Sequence, residues 1–444
     1  MGFTISFTGP LIGRTCVPGD RRLTLTTLAM SMLLPEEVII INPSPSPDVI
    51  GFMKFLGNYG AIIDASNSNI KIRGKKWNES ILINTDVPDS IIHSVIGSTV
   101  FSTRSIRIED GAKGRSIIVR PLLDLLKTVG LPDENIFEED KDVIIKGAVF
   151  SPPDVVHVSS SWAFEAVISA GLSSRMPVVI SYSSQLVTHF LRLLTLLGFH
   201  ITHPEEMDNQ NIELSRRLAR AGGEKSREIR KFEWSGKREG IIEIPGDSTI
   251  AAAVCGAAAL LQHSDVTVEN VIWEQGRRGF FDALKRMKIN IAWEPDSEDH
   301  SFDSANIRVK WSKGEGIHVS SDQALTMSSE LLVLGAVSAF ASGKTVISND
   351  SESPGFRRDS FKVFARGLKM LGAHVGDFSE GLILHGKQEF QGNFIDSESK
   401  SDIALALTVT ALNSSGTTTI SDFVENDYPV SEFLQIVKDI SCEM

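Results

Sequence analysis

A short pattern of apolar and polar residues recurs along the chain, and each copy predicts a helix followed by a strand. In each copy, apolar residues at i, i+3 and i+4 predict a helix stripe, and the β-branched residues that follow predict a strand. We expect Gly57, Gly198 and Gly372 to close three of these helices in the left-handed conformation, whereas one copy has no glycine. The copies cover residues 53–63, 193–201, 284–291 and 368–375. This repetition predicts an α/β fold.

A second, sharper repeat divides the chain into two similar halves. Residues 17–20 read Val-Pro-Gly-Asp and residues 244–247 read Ile-Pro-Gly-Asp, about half the chain apart. Each copy precedes a helix-like run, from Leu23 in the first half and from Ser248 in the second. The Pro-Gly pair predicts a turn, and the aspartate or a nearby hydroxyl can cap the helix that follows.

The polar segment 204–240 separates these halves and carries several arginines and lysines. Its charge pattern predicts a solvated helix and hairpin that precede a crossover between domains. The alternative interpretation is an anion-binding patch.

Composition narrows the function classes. The chain has 444 residues and a net charge of −12, which argues against a general nucleic-acid binder but leaves room for a local cationic pocket. Its three scattered cysteines form no CxxC pair, so neither a disulfide framework nor a structural zinc site is expected. Without a signal-peptide pattern or a run of about 20 apolar residues, we expect a cytoplasmic protein with no membrane span. We also expect a monomer.

Several short sequence motifs, in their order along the chain, resemble those of the enolpyruvyl transferases, most closely the 5-enolpyruvylshikimate-3-phosphate (EPSP) synthases. The resemblance runs from Pro18-Gly19-Asp20 to Tyr428-Pro429. The landmarks between are Arg120-Pro121-Leu122, Val158-Ser159-Ser160-Ser161, Ser183 and the segment 341–347.

The resemblance implies an α/β (α+β) fold of two domains, each an inside-out α/β barrel of three βαβαββ units. One domain would combine residues 1–17 with 243–444, and the other would cover 18–242. It also implies transfer of an enolpyruvyl group from phosphoenolpyruvate in the shikimate pathway of aromatic amino acid biosynthesis. The ligand would be a phosphorylated or carboxylate small molecule in the interdomain cleft, with no metal and no organic cofactor.

Carried over residue by residue, the resemblance implies a set of ligand-binding positions. Arg21 stands at the family's lysine position, and Arg22 replaces a serine. Arg120 keeps an arginine that contacts phosphoenolpyruvate in the family, and the competing interpretation is a surface or interdomain arginine. The remaining candidate substrate-binding residues are Ser159, Ser160, Ser183, Glu330 and Arg358. Serines at strand-to-helix turns also serve as ordinary N-caps, which is the competing interpretation for Ser159 and Ser160.

The same comparison leaves no confident catalytic residue. Ser329 stands where the family has its general base, and Arg357 stands where it has an acid–base glutamate. A serine hydroxyl cannot accept a proton near neutral pH. Asp402 reverses the charge of an arginine position. Family cations are also missing at Thr26, Val95, Phe356, Ser360 and Asn426.

Three hypotheses follow. The first is a pseudoenzyme with a binding or regulatory role; the second is an active transferase with a site rebuilt from arginines; the third is a true synthase whose residues are misaligned. Two other motifs are set aside. Gly343-Lys344-Thr345 lacks the earlier glycine of a P-loop, and Arg277-Arg278-Gly279 is interpreted as a capping arginine beside core residues Phe280 and Phe281.

Overall fold

The computed structural model divides the chain into two compact units. One unit joins Met1–Asp20 to Pro245–Met444, and the other is Arg21–Ile244. The described residues are 2–6, 9–66, 68–75, 77, 80–109, 115–183, 188–202, 227–234, 240–296, 301–348, 358–378, 381–386, 389–422 and 427–442.

Helices and strands alternate along both units, and the α/β fold class predicted from the sequence is confirmed. A short 3₁₀ turn, Asp133–Asn135, accompanies the helices. In the described residues the helices are α1 Arg21–Ser31, α2 Pro47–Asn58, α3 Ile92–Val100, α4 Ser116–Lys127, α5 Ser161–Ser174, α6 Thr188–Leu196, α7 Ser248–Leu260, α8 Gly279–Arg286, α9 Ser321–Ala324, α10 Glu330–Ser338, α11 Arg358–Met370, α12 Ser401–Ala411 and α13 Val430–Ile440. The strands are β1 Gly2–Ser6, β2 Ile12–Cys16, β3 Val38–Ile41, β4 Ile62–Asp64, β5 Asn69–Arg73, β6 Ile81–Ile83, β7 Ser105–Ile108, β8 Ile136–Glu139, β9 Asp142–Lys146, β10 Val156–His157, β11 Val178–Ser183, β12 Phe199–Thr202, β13 Arg227–Trp234, β14 Ile241–Glu243, β15 Asp265–Ile272, β16 Asn290–Pro295, β17 Ser304–Lys310, β18 His318–Val319, β19 Lys344–Ser348, β20 His374–Phe378, β21 Gly381–His385, β22 Phe394–Asp396 and β23 Thr417–Ser421.

In its described residues, the unit 21–244 contains three four-stranded sheets with one shared topology. Their strand orders are β14-β3-β5-β4, β6-β7-β9-β8 and β10-β11-β13-β12. In each sheet the first two strands are parallel and the other pairings are antiparallel. With the intervening helices, each sheet belongs to a βαβαββ unit. β14 completes the first sheet from the far end of the unit.

The unit 1–20 with 245–444 repeats this plan. Its sheets have the orders β16-β17-β15-β2, β18-β19-β21-β20 and, with three strands, β1-β23-β22. The N-terminal strands β1 and β2 complete two of these sheets by pairing with β23 and β15.

Buried helices form the centre of each unit. α7, α10 and α12 are apolar on nearly every face and pack against one another, which is typical of a helix with no solvated side. The alanine-rich run 250–261 is therefore a core helix. α3 packs against α1 and α5 in the other unit, and most residues of these three helices are buried.

The helix–strand repeats form as predicted, with one correction. Gly198 and Gly372 have φ of 91° and 100°, and in the copy without a glycine Lys288 adopts φ 61°. The prediction for Gly57 is wrong, because α2 continues to Asn58 and Gly60 takes the left-handed conformation at φ 98°.

The two Pro-Gly-Asp motifs pair directly with each other. Gly19 and Gly246 form an antiparallel bridge. The Asp20 backbone N–H donates to the Pro245 carbonyl at 2.8 Å, and the Asp247 N–H donates to the Pro18 carbonyl at 2.8 Å. The Asp247 carboxylate also caps α7, as the sequence predicts, by accepting from the N–H groups of residues 249 and 250.

The polar segment 204–240 is described only at 227–234 and 240. Residues 227–234 form β13, which pairs with both β11 and β12 and is therefore an interior strand of its sheet. The predicted solvated helix and the other positively charged residues of this segment lie outside the described residues.

Candidate functional site

A buried arginine organises the first candidate site, in the unit 1–20 with 245–444. Arg277 precedes α8 and forms an ion pair with Asp20, whose side chain is only 1% exposed. An Arg277 Nη2–H donates to the Ser248 hydroxyl at 3.0 Å. The Asp20, Glu330 and Asp247 carboxylates together raise the pKa of Arg277 above its usual value, although burial alone would lower it. The guanidinium therefore stays charged and links Asp20 of the first Pro-Gly-Asp motif to Ser248, the residue that follows the second motif.

Glu330 extends this cluster at the first residue of α10. Its Oε1 accepts from the Ser248 hydroxyl at 2.6 Å and from the Thr249 hydroxyl at 3.0 Å. Its Oε2 accepts from the Ser328 backbone N–H at 2.7 Å. The side chain is buried. Both oxygens of this predicted ligand-binding carboxylate are thus held by the chain itself.

Ser329 lies beside Glu330 at the N-terminal boundary of α10. It is partly exposed, and its side chain makes no capping hydrogen bond. Asp402 lies in the first turn of α12, where its Oδ1 accepts from the Ile403 N–H at 3.0 Å. A carboxylate there is favoured by the partial positive charge of the helix N-terminus.

The second candidate site lies where α1, α3 and α5 meet in the unit 21–244. Arg22 Nη2 donates to Glu165 Oε1 at 2.9 Å, and the Ser94 hydroxyl donates to Glu165 Oε2 at 3.3 Å. Glu165 is 2% exposed and Arg22 is 37% exposed. The His93 ring stacks on Trp162 with 5.0 Å between ring centroids. The structure thus joins the predicted residue Arg22 to Glu165 and, through it, to Ser94, two residues that the sequence did not single out as site residues.

The other described arginines predicted to bind a ligand also have carboxylate partners. Arg21 is 2.8 Å from Asp48, which lies in the first turn of α2. Arg120 is 3.2 Å from Glu138, and both side chains are about two thirds exposed. The structure does not bring Arg120 into contact with Arg21 or Arg22 among the hydrogen bonds and ion pairs of the described residues.

The predicted serines have separate positions. Ser160 is the N-cap of α5 and its hydroxyl accepts from the Ala163 N–H at 3.4 Å, which matches the capping interpretation. Ser159 is exposed. Ser183 ends β11 and Arg358 begins α11, but the side chains of both, and all of Arg357, lie outside the described residues.

Arg115 is a buried arginine that the sequence analysis missed. Its guanidinium donates to Asp89 Oδ1 at 3.0 Å, to the Asn84 carbonyl at 2.7 Å and to the Val87 carbonyl at 2.6 Å. It therefore fastens the loop before α3 to the start of α4. Neither Arg115 nor Arg277 has a sequence signal that separates it from surface arginines, because each partner is distant along the chain.

Burial lowers the pKa of His93 to about 4, and the positive charge of Arg22 acts in the same direction, whereas Glu165 and Asp89 oppose the change. His93 is therefore neutral near pH 7. It can donate or accept one hydrogen bond but adds no positive charge to the cluster.

This shift predicts an acid-dependent loss of stability. The unfolded chain takes up the His93 proton near pH 6.5 and the folded chain only near pH 4, so stability falls as pH drops through that window. The loss should reach roughly 3 kcal/mol and should be much smaller in His93→Phe, which keeps an aromatic ring on Trp162. Urea unfolding between pH 4 and 7.5 measures it. His157→Phe, at an exposed position, is the control; identical profiles for wild type and His93→Phe would contradict the prediction.

Among the described residues, no cluster of three or more His, Cys, Asp or Glu side chains could hold a metal ion. No helix in the described part of the chain is long and apolar enough to cross a membrane.

Solved structures place the fold in the class of enolpyruvyl transferases. EPSP synthase from Acinetobacter baumannii matches with a TM-score of 0.74 at 18% identity, over 99% of this chain and 98% of that one. The enolpyruvyl transferase NikO from Streptomyces tendae matches with a TM-score of 0.71 at 14% identity, over the same shares of the two chains.

Sequence comparison gives the family. The model of the family EPSP synthase (3-phosphoshikimate 1-carboxyvinyltransferase) matches residues 6–434, and the chain belongs to that family. The resemblance found in the sequence is thereby confirmed. Among curated relatives, the 3-phosphoshikimate 1-carboxyvinyltransferase of Bartonella tribocorum is 24% identical over 97% of this chain and 96% of its own length. The enzyme of the same name from Desulforamulus reducens is 24% identical over 98% of both chains.

Proposed function

We propose that this EPSP synthase family member does not carry out the standard transfer of enolpyruvyl from phosphoenolpyruvate to shikimate 3-phosphate and acts as a binding or regulatory pseudoenzyme. One observation carries the proposal: at three of the predicted ligand-binding positions, the charged group already has partners inside the chain. Arg22 pairs with Glu165, Arg21 pairs with Asp48, and both Glu330 oxygens accept hydrogen bonds from the protein.

The pairing of Arg22 with Glu165 lowers the affinity that this arginine can have for an anion. A phosphate gains most from a guanidinium that can turn two parallel N–H groups toward it. Glu165 already holds one Arg22 nitrogen and would repel an incoming phosphate. Displacing Glu165 from Arg22 would cost much free energy, because an unpaired buried carboxylate is strongly unfavourable.

Proton transfer is also unsupported at the family positions. The transfer reaction needs a base and an acid within reach of the reacting groups. Ser329 has no carboxylate to accept a proton, and both Glu330 oxygens already accept hydrogen bonds from hydroxyl and N–H donors. The described residues at these positions therefore support a ligand-binding surface better than a catalytic centre.

The proposal predicts no enzymatic release of phosphate. The full chain, with phosphoenolpyruvate and shikimate 3-phosphate at saturating concentration, should release phosphate no faster than a protein-free blank. The Bartonella tribocorum relative, prepared and assayed in the same way, is the positive control. Turnover by the full chain that scales with protein concentration would overturn the proposal.

A second candidate is an active carboxyvinyl transferase with a rebuilt arginine site for shikimate 3-phosphate or another phosphorylated acceptor. It is favoured by one detail: Arg22 Nε is buried and has no hydrogen-bond partner among the residues that the structure describes. Enolpyruvyl transfer to a different phosphorylated sugar or cyclitol, detected by mass spectrometry of the acceptor, would favour this candidate. The predicted interdomain ligand, the monomeric state and the cytoplasmic location remain predictions.

A further inference from the structure

Glu165 is an acidic residue at a position that favours an apolar one. It lies inside α5 between Phe164 and Ala166, which are both fully buried. A carboxylate at such a position destabilises the fold unless a charge partner and hydrogen bonds satisfy it. Arg22 and Ser94 supply them, one to each carboxylate oxygen. The side chain is therefore fixed in one orientation.

Among the described residues, the charged groups that act on this cluster sum to zero. Arg22 carries one positive charge and Glu165 one negative charge. Asp89, the other charged group that acts on His93, is paired with Arg115 at 3.0 Å. His93 is neutral. A dianion that approached the 37% exposed Arg22 side chain would therefore meet no net positive charge from these described groups.

We propose that Glu165 is a specificity-determining residue that prevents Arg22 from binding phosphate. The group of a ligand that meets Arg22 is then uncharged, such as a hydroxyl or carbonyl oxygen. This inference rests on the proposed function, because it takes Arg22 as part of the ligand-binding surface. It adds that one carboxylate, rather than the lack of cations, excludes the anion.

Two routes are closed to a phosphate while Glu165 is present. If it shares the guanidinium with Glu165, the two negative charges repel each other across one arginine. If it displaces Glu165, a carboxylate that is 2% exposed loses its charge partner. Replacing Glu165 by glutamine removes both obstacles, because the amide keeps the shape and can still accept from Ser94 while Arg22 keeps its charge.

The test is isothermal titration calorimetry of the full chain with inorganic phosphate at constant ionic strength. Wild type is expected to show no saturable binding, and Glu165→Gln is expected to bind phosphate at least about tenfold more tightly. The double variant R22Q/E165Q should lose the gain, which assigns it to the guanidinium. Glu138→Gln, which removes the exposed carboxylate beside Arg120 in the same unit, is the matched control and should leave phosphate binding unchanged.

Two outcomes would overturn the inference: phosphate binding by wild type that R22Q/E165Q abolishes, or a folded Glu165→Gln chain that gains none. If Glu165→Gln does not fold, the comparison of wild type with R22Q/E165Q still decides, because phosphate binding by wild type at Arg22 contradicts the proposal and its absence supports it. Phosphate release in the turnover assay tests the proposed function alone, whereas phosphate binding tests the role of Glu165. Failure of the proposed function can therefore be distinguished from failure of this inference.

Discussion

Arg277→Met should destabilise the unit 1–20 with 245–444 by about 3–5 kcal/mol, because it removes one partner of a buried ion pair. Asp20, at 1% exposure, would lose its charge partner, and Ser248 would lose a donor. The positive charge that offsets Asp247 and Glu330 would also disappear. Differential scanning calorimetry should show the transition of this unit lowered by on the order of 10 °C.

Arg278→Met is the matched control in the next residue. Arg278 is 39% exposed, pairs with Asp282 at 3.1 Å and lies over the Trp273 ring, so its loss should cost less than about 1 kcal/mol. D20N/R277M should recover much of the loss because no charge is then left unpaired at Asp20. Equal thermal transitions for Arg277→Met and Arg278→Met would refute the assigned role of Arg277.

Arg115→Met is expected to have the largest effect in the unit 21–244, again about 3–5 kcal/mol. The side chain is 7% exposed and its guanidinium serves three acceptors: the Asp89 carboxylate and the carbonyls of Asn84 and Val87. Hydrogen bonds to charged groups contribute about 1.5–3 kcal/mol each, and acceptors left without a donor add a desolvation cost. Hydrogen exchange should show faster opening at residues 84–95 than in the rest of the unit.

The control lies on the same helix. Arg120→Met removes an exposed pair with Glu138 and should change stability by less than about 1 kcal/mol. A comparable destabilisation by Arg120→Met, or unchanged exchange at 84–95 in Arg115→Met, would show that the three hydrogen bonds do not hold this loop.

Much of the fold followed from local pattern. The period of the apolar residues predicted helices and strands, and the two Pro-Gly-Asp motifs predicted two similar halves. The Gly57 error has a local cause: a glycine within an apolar stripe can remain helical, and Gly60, three residues further on, supplied the left-handed turn. Lys288 shows the converse, since a lysine adopted a conformation for which the sequence offered no glycine.

The candidate site was harder to predict because its contacts join residues far apart in the chain. The motif comparison selected Arg22 and Glu330, and both lie at the N-terminal ends of buried helices. It gave no reason to expect Glu165 opposite Arg22, or Ser248 and Thr249 opposite Glu330. Arg277 was interpreted as a capping arginine, yet it pairs with Asp20, which belongs to the separate N-terminal segment of the same unit.

The sequence by itself determined the fold class, the family and the residue types at each family position, because periodicity and motif order are properties of neighbouring residues. Only the tertiary structure decided which of those residues are neutralised. A charge is compensated by whatever lies within a few ångströms, and for Arg22, Arg115 and Arg277 that neighbour comes from another element of the unit.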